Sequence, residues 1–353
     1  MPSVPSSHSS TGRLSFPQTA DTQLIRKQYL SEWTEWAENC APGENRALAF
    51  SRLKLWLENN ESHLDLSELN LTSLPSLPEH VMSLKIDNNA LTSLPRLPYS
   101  LEKIEASFNQ LTTLPALPES LTVLSVRVNR LSTLPDLPNS LTVLNVRDNR
   151  LSTLPDLPNT LTVLNVSGNC LTMLPALPSS LQVLNAGSHR LSVLPELPSS
   201  LKEIHVSDNH LSELPELPAS LKNLNISYNR LSTLPELPAS LENLNACHNY
   251  ISVLPGLPES LEYLNVHDNH LTTLPPPYLP CWNWLMQIET GWKVCQISLR
   301  DTVQARECTG LTTTSSQLFR KTYSASALRV LSLSPITPCP RGQDKLCYGK
   351  LRD

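Results

Sequence analysis

Leucine returns along this chain on a fixed beat of 20 residues from Leu64 to about Leu274. One period reads Leu101-x-x-Ile104-x-Ala106-x-x-Asn109-x-Leu111-x-x-Leu114-Pro115-x-Leu117-Pro118. In the next, Leu124-x-Val126 alternates apolar and polar positions, the period of a half-buried strand. A polar closure follows each strand at Asn89, Asn109, Asn129, Asn149, Asn169, Asn209, Asn229, Asn249 and Asn269. His189 replaces it once, and Leu69 fills it in the first, degenerate copy. An amide there satisfies turn backbone groups that would otherwise be buried unpaired. In the LPxLP half, each Pro fixes φ and drives the preceding Leu to extended backbone, so a polyproline-like arc replaces a helix. So thin an outer wall suits so short a period.

Eleven copies run without insertion. A lone copy cannot bury its own apolar face, so the copies must stack and share backbone ladders. The predicted fold is a leucine-rich-repeat solenoid over residues 61–275, with parallel β on its concave face and an α-helical N-terminal cap. Solenoid ends need covers. Ile25, Tyr29, Trp33 and Trp36 fall on one helical stripe, Ala41-Pro42-Gly43 breaks it, and Ala49, Leu53, Trp56 and Leu57 form a second. Residues 22–60 are therefore the cap, with the tryptophans expected to close the open edge of the first strand. Residues 1–21, rich in Ser and Pro, read as a disordered leader. The beat stops at Pro275-Pro276-Pro277. The tail, 276–353, clusters Trp282, Trp284 and Trp292 and alternates like a strand at Gln296-Ile297-Ser298-Leu299, with no repeat and no sustained helical stripe.

Composition narrows the classes. No apolar run is long enough to span a bilayer, and the first 20 residues lack the apolar stretch of a signal peptide. The 8 cysteines include no C-x-x-C pair, so neither a zinc site nor a disulfide framework is expected, and a reducing compartment is. The tail holds ten Lys and Arg against five Asp and Glu; with −5 overall, residues 1–275 carry −10. An acidic body repels phosphate backbones, so nucleic acid is not an expected partner.

If the Leu, Asn and Pro ladders build the fold, function lies between them. Val123, Val143, Val163 and Val183 share one column, flanked by Lys103 and Glu203. They form either an apolar docking stripe or plain β-propensity kept after duplication, since residues 130–149 and 150–169 differ at few positions. Arg127 and Arg147, with Arg130 and Arg150 on the turn, form a basic island. Interface anchoring and a solvated face are both open readings of it. The column Asn145, Asn165, Asn185, Asn225, Asn245 and Asn265 is expected to bond mostly to itself. No catalytic residue, metal ligand or cofactor is expected. Cys247-His248, with His267 one copy on, is the nearest approach to an activated thiol, but nothing supplies an oxyanion site. Cys308 follows Glu307, which disfavours a thiolate.

The cap motif Tyr29-Leu30-Ser31-Glu32-Trp33-Thr34-Glu35-Trp36, then Pro42-Gly43-Glu44-Asn45-Arg46 and Arg52-Leu53, joined to LxxLxVxxNxLxxLPxLP copies, resembles one family. It is that of the secreted leucine-rich-repeat effectors of Gram-negative pathogens, with the invasion plasmid antigen H type of E3 ubiquitin ligase and the shorter Yersinia outer protein M type. The likeness covers residues 22–275. It implies a type III secretion signal in the leader, delivery to the host cytoplasm, and a host protein bound on the concave face, the effector acting as adaptor or inhibitor. A secretion chaperone at the N-terminus is a further implied partner. Catalytic relatives carry a helical domain with a nucleophilic Cys in Cys-x-Asp, and no Cys here precedes Asp by two residues. A non-enzymatic role is therefore expected. The alternative is the substrate-recognition part of a ligase whose catalytic domain is truncated or frame-disrupted.

Overall fold

The computed structural model describes residues 20–272 and 296–298. The leader, most of the tail with its tryptophan cluster, and the expected boundary at 275 lie outside the described residues. Each copy contributes one strand of three residues: β1 (His63–Asp65), β2 (Ser83–Lys85), β3 (Lys103–Glu105), β4 (Val123–Ser125), β5 (Val143–Asn145) and β6 (Val163–Asn165). The series continues through β7 (Val183–Asn185), β8 (Glu203–His205), β9 (Asn223–Asn225), β10 (Asn243–Asn245) and β11 (Tyr263–Asn265). All eleven pair in parallel and in chain order. Leu124 stands opposite Leu144, and Leu144 opposite Leu164, so the 20-residue beat is the register itself.

Packing follows the columns. Leu121, Leu124, Val126 and Leu131 are each 0% exposed, as are their equivalents in most other copies. The arc leucines are less covered than a core ladder: Leu134 and Leu137 are only partly buried. The arc lies against the core on one side, and among the described residues no helix covers the other. A turn tightens its exit, where the Leu121 amide donates to the Pro118 carbonyl at 3.0 Å. Ser120 and Ser140 then donate to the Leu101 and Leu121 carbonyls one copy back, at 2.8 and 2.7 Å.

The Asn column behaves as its chemistry predicts. Asn129 Nδ2 donates to the carbonyls of Ala106 and Val126 at 2.9 and 3.0 Å, and its Oδ1 accepts from the Leu111 amide at 2.9 Å. One side chain thus ties two copies together. The residue just before it is left-handed in copy after copy, with φ of 55° at Phe108, 54° at Val128 and 53° at Asp148. That conformation is costly for a β-branched residue such as Val128. Gly168 fits it without strain, and a Cβ there would meet Asp148 Oδ1 at 2.2 Å.

Helices α1 (Ala20–Glu38) and α2 (Arg46–Asn59) precede the strands. The second stripe is the better buried: Ala49, Leu53, Trp56 and Leu57 lie within the core, whereas Ile25 of the first is 49% exposed. The cap docks on both the first strand and the first arc. The indole Nε1 groups of Trp33 and Trp36 donate to Ser76 O at 3.0 Å and Ser73 Oγ at 3.3 Å, on the first arc, while Trp56 lies beside β1 at His63, Leu64 and Asp65. α2 faces β1, where Arg52 Nη1 donates to the Ser67 carbonyl at 3.2 Å. The reason is length: a two-helix cap is broad enough to meet both walls of the first copy. At the other end, β12 (Gln296–Ser298) pairs antiparallel with β11.

Candidate functional site

The strand face carries the predicted residues. In each of β4–β7 the middle Leu is buried and its neighbours are half-buried, since side chains alternate across a strand. Val123, Val143, Val163 and Val183 therefore stand side by side on the face of the sheet turned away from the core, in direct register. Thr142 and Thr162, one residue before, point their hydroxyls at the Thr122 and Thr142 carbonyls at 3.0 Å.

The arginines are less uniform. The Arg127 guanidinium lies 4.9 Å from the Phe108 ring centre, a cation–π contact, and Arg147 Nε sits 3.1 Å from Asp148 Oδ2. Arg130 and Arg150 are exposed, but one residue beyond the Asn ladder, so they belong to the turn and not to the strands. Their column continues through exposed Arg190 and Arg230, which the two-copy reading of the island missed. The signal was present: the same position, read down all copies.

The Asn column on the strands bonds locally. Asn165 Oδ1 accepts from the Ser167 amide at 3.2 Å and Asn225 Oδ1 from that of Ser227 at 3.2 Å, each two residues on. Bonding between copies occurs in another column, where Asn243 Nδ2 donates to Asn223 Oδ1 at 2.7 Å.

The last copies gather histidine and aromatic side chains. Tyr228 stacks on His248 at 4.1 Å, and His248 meets His267 edge-on at 4.7 Å. Buried Cys247 lies beside them, and the Sγ and ring nitrogens of Cys247, His248 and His267 all fall within 4.8 Å of one another. Burial, aided by the Asp268 charge, pushes the Cys247 thiol up, against partial relief from a Ser227 hydrogen bond. Burial also pushes His248 down, with Asp268 opposing. A raised thiol pKa disfavours a reactive thiolate there. Cys40, Cys170 and Cys247 are free thiols among the described residues, and no described helix is long and apolar enough to cross a membrane.

A parallel ladder of short strands, an Asn-stitched turn and an LPxLP arc define a leucine-rich-repeat solenoid with a two-helix N-terminal cap. Comparison with known proteins refines this class. The profile described as "Type III secretion system leucine rich repeat protein" matches residues 5–51, and the general leucine-rich-repeat profile matches 220–241 and 260–282. The solved structure of YopM, a leucine-rich effector protein from Yersinia pestis, is 35% identical, with a TM-score of 0.50, over 71% of this chain and 90% of that one. The chain belongs to the leucine-rich-repeat effector family of bacterial type III secretion systems. Among curated sequences, the E3 ubiquitin-protein ligase ipaH7.8 of Shigella flexneri is 44% identical over 87 residues, 25% of this chain and 15% of that protein. YopM of Yersinia pestis is 39% identical over 76 residues, 21% of this chain and 19% of that protein. The matched stretches thus span under a fifth of either curated relative.

Proposed function

We propose that this chain is a type III secreted effector that works in the host cytoplasm by binding a host protein on its strand face, as adaptor or inhibitor. The observation that carries this is the row Val123, Val143, Val163 and Val183, in register and half-buried on the strand face turned away from the core, with Arg127 and Arg147 two turns of the pleat away. An apolar strip flanked by carboxylates on the partner suits that surface. Arg130 and Arg150, on the turns, extend the basic flank. Catalysis has no part in this reading.

The test pairs two double variants with the wild type in host-lysate capture, followed by rate measurements with the purified partner. Val143→Asp with Val163→Asp places charge in the desolvated centre and is expected to speed dissociation. Arg127→Glu with Arg147→Glu is expected to slow association about tenfold at low salt and to alter its salt dependence. Circular dichroism should be unchanged in both, because these side chains point away from the core. Folded variants that keep every partner sink the proposal.

A second reading rests on the likeness to ipaH7.8, a protein named as an E3 ubiquitin-protein ligase. Here the solenoid selects the substrate for ubiquitin transfer. Ubiquitin discharge from a charged conjugating enzyme by the full chain would favour it; no discharge would leave the binding role.

A further inference from the structure

We infer that Cys247, His248 and His267 form a zinc site that clamps the last two copies of the solenoid. Nothing in the sequence spacing announces it, because two ligands are adjacent in the chain and the third comes from the next copy. Stacking brings them together.

The argument begins with where the imidazole protons must be. His267 Nδ1 lies 2.7 Å from Asn265 Oδ1. That oxygen also accepts from the His267 amide at 3.4 Å, so it is the amide's carbonyl end and Nδ1 must carry the hydrogen. His248 Nδ1 lies 3.1 Å from Asp268 Oδ2, a carboxylate that only accepts, so it too carries the hydrogen. Neutral imidazole holds one proton. With both rings neutral the two Nε2 atoms are bare lone pairs, yet they lie 3.1 Å apart. Two acceptors at that distance repel unless something positive lies between them.

A tetrahedral zinc ion fits. With zinc–nitrogen bonds of about 2.0–2.1 Å, two imidazole nitrogens sit roughly 3.3 Å apart, close to the spacing found. Cys247 Sγ supplies a third donor within 4.8 Å and closes by about 1 Å to reach ordinary zinc–sulfur geometry. Metal binding expels the thiol proton. One soft sulfur and two imidazoles select zinc or cobalt over magnesium or calcium. The orienting shell is already built: Asn265 and Asp268 hold the two Nδ1–H groups, as carboxylates and amides do behind metal-bound histidines. His248, His267 and Asp268 side chains are 32%, 28% and 43% exposed, so the fourth position opens to water.

The experiment uses the full chain, reduced, stripped with a chelator and titrated with Co²⁺. The wild type should take up cobalt with thiolate charge-transfer absorption and tetrahedral visible bands that Zn²⁺ bleaches, and Zn²⁺ should raise its thermal midpoint. Cys247→Ser and His267→Ser should each weaken binding at least tenfold and abolish the Zn²⁺-dependent rise. Asp268→Asn should weaken it about tenfold, the range for an orienting partner. Serine already occupies this column at Ser207 and Ser227, so both serine variants retain a fold-compatible residue. No tetrahedral cobalt spectrum in the wild type would overturn the site and leave a proton shared between the rings. A spectrum that survives in either serine variant would overturn it as well, by placing the metal on other cysteines.

Discussion

His189 stands where nine other copies hold Asn, and the ring cannot do the amide's work. Neither of its buried nitrogens completes a hydrogen bond. In other copies an Asn Oδ1 accepts from a Leu amide one copy back, as Asn169 does from Leu151 at 2.9 Å. Restoring that acceptance and one Nδ2 donation to a carbonyl, as Asn169 makes to Val146, with His189→Asn should raise stability by about 2 kcal/mol, at roughly 1 kcal/mol per recovered bond. A pH dependence follows. Burial lowers the His189 pKa in the folded chain below its usual 6.5, against weaker support from the Asn169 and Val166 carbonyls. The unfolded chain then binds more protons on acidification, so stability falls as pH drops below 6.5 and the variant escapes that loss. Denaturant melts at pH 7 and 5 check this; an advantage that does not grow at pH 5 contradicts it.

At the scale of the element, Glu44 is the hub that ties the cap to the first copy. Its Oε1 accepts from the Thr72 amide and hydroxyl at 2.6 and 2.7 Å, and its Oε2 from the Ala41 amide at 2.7 Å. Arg46 Nε lies 2.8 Å from the same carboxylate, with side chains 8% and 1% exposed. Burial alone would push Glu44 up; the bonds from Thr72, Ala41 and Arg46 outweigh it and hold the group at about 2. The depressed pKa contributes stability that is fully present above 4.5 and is lost as pH falls towards 2. It amounts to about 3 kcal/mol at neutral pH. Acid should therefore release the cap before the middle copies, seen as hydrogen exchange rising first in α2. In Glu44→Gln that acid step should vanish and the neutral-pH stability should fall. The helical stripes were legible in the sequence, but Glu44 was legible only as part of a motif. Its partner Thr72 lies 28 residues on, across a junction that no periodicity marks.

At the scale of the molecule, repeats touch only their neighbours, so damage should stay local. Deleting residues 276–353 removes β12 and bares the edge of β11. Amide exchange at Leu264 should quicken while Leu144 keeps its protection. Equal protection at both positions in the shortened chain would mean that β12 does not cover the edge.

The sequence by itself determined the register, the core columns and the Asn ladder, because a 20-residue repeat stacked in parallel sets each position beside its own equivalents in the copies before and after. Composition likewise showed that the arc could not be a helix. What only the tertiary structure decided are the relations that break the repeat. Trp33 and Trp36 dock on Ser76 and Ser73, and His248 and His267 meet with their Nε2 atoms 3.1 Å apart. Those outcomes depend on side-chain rotamers and on which unlike residues stacking places in contact. A period carries the positions of residues, and distances between unlike neighbours arise only once the chain is folded.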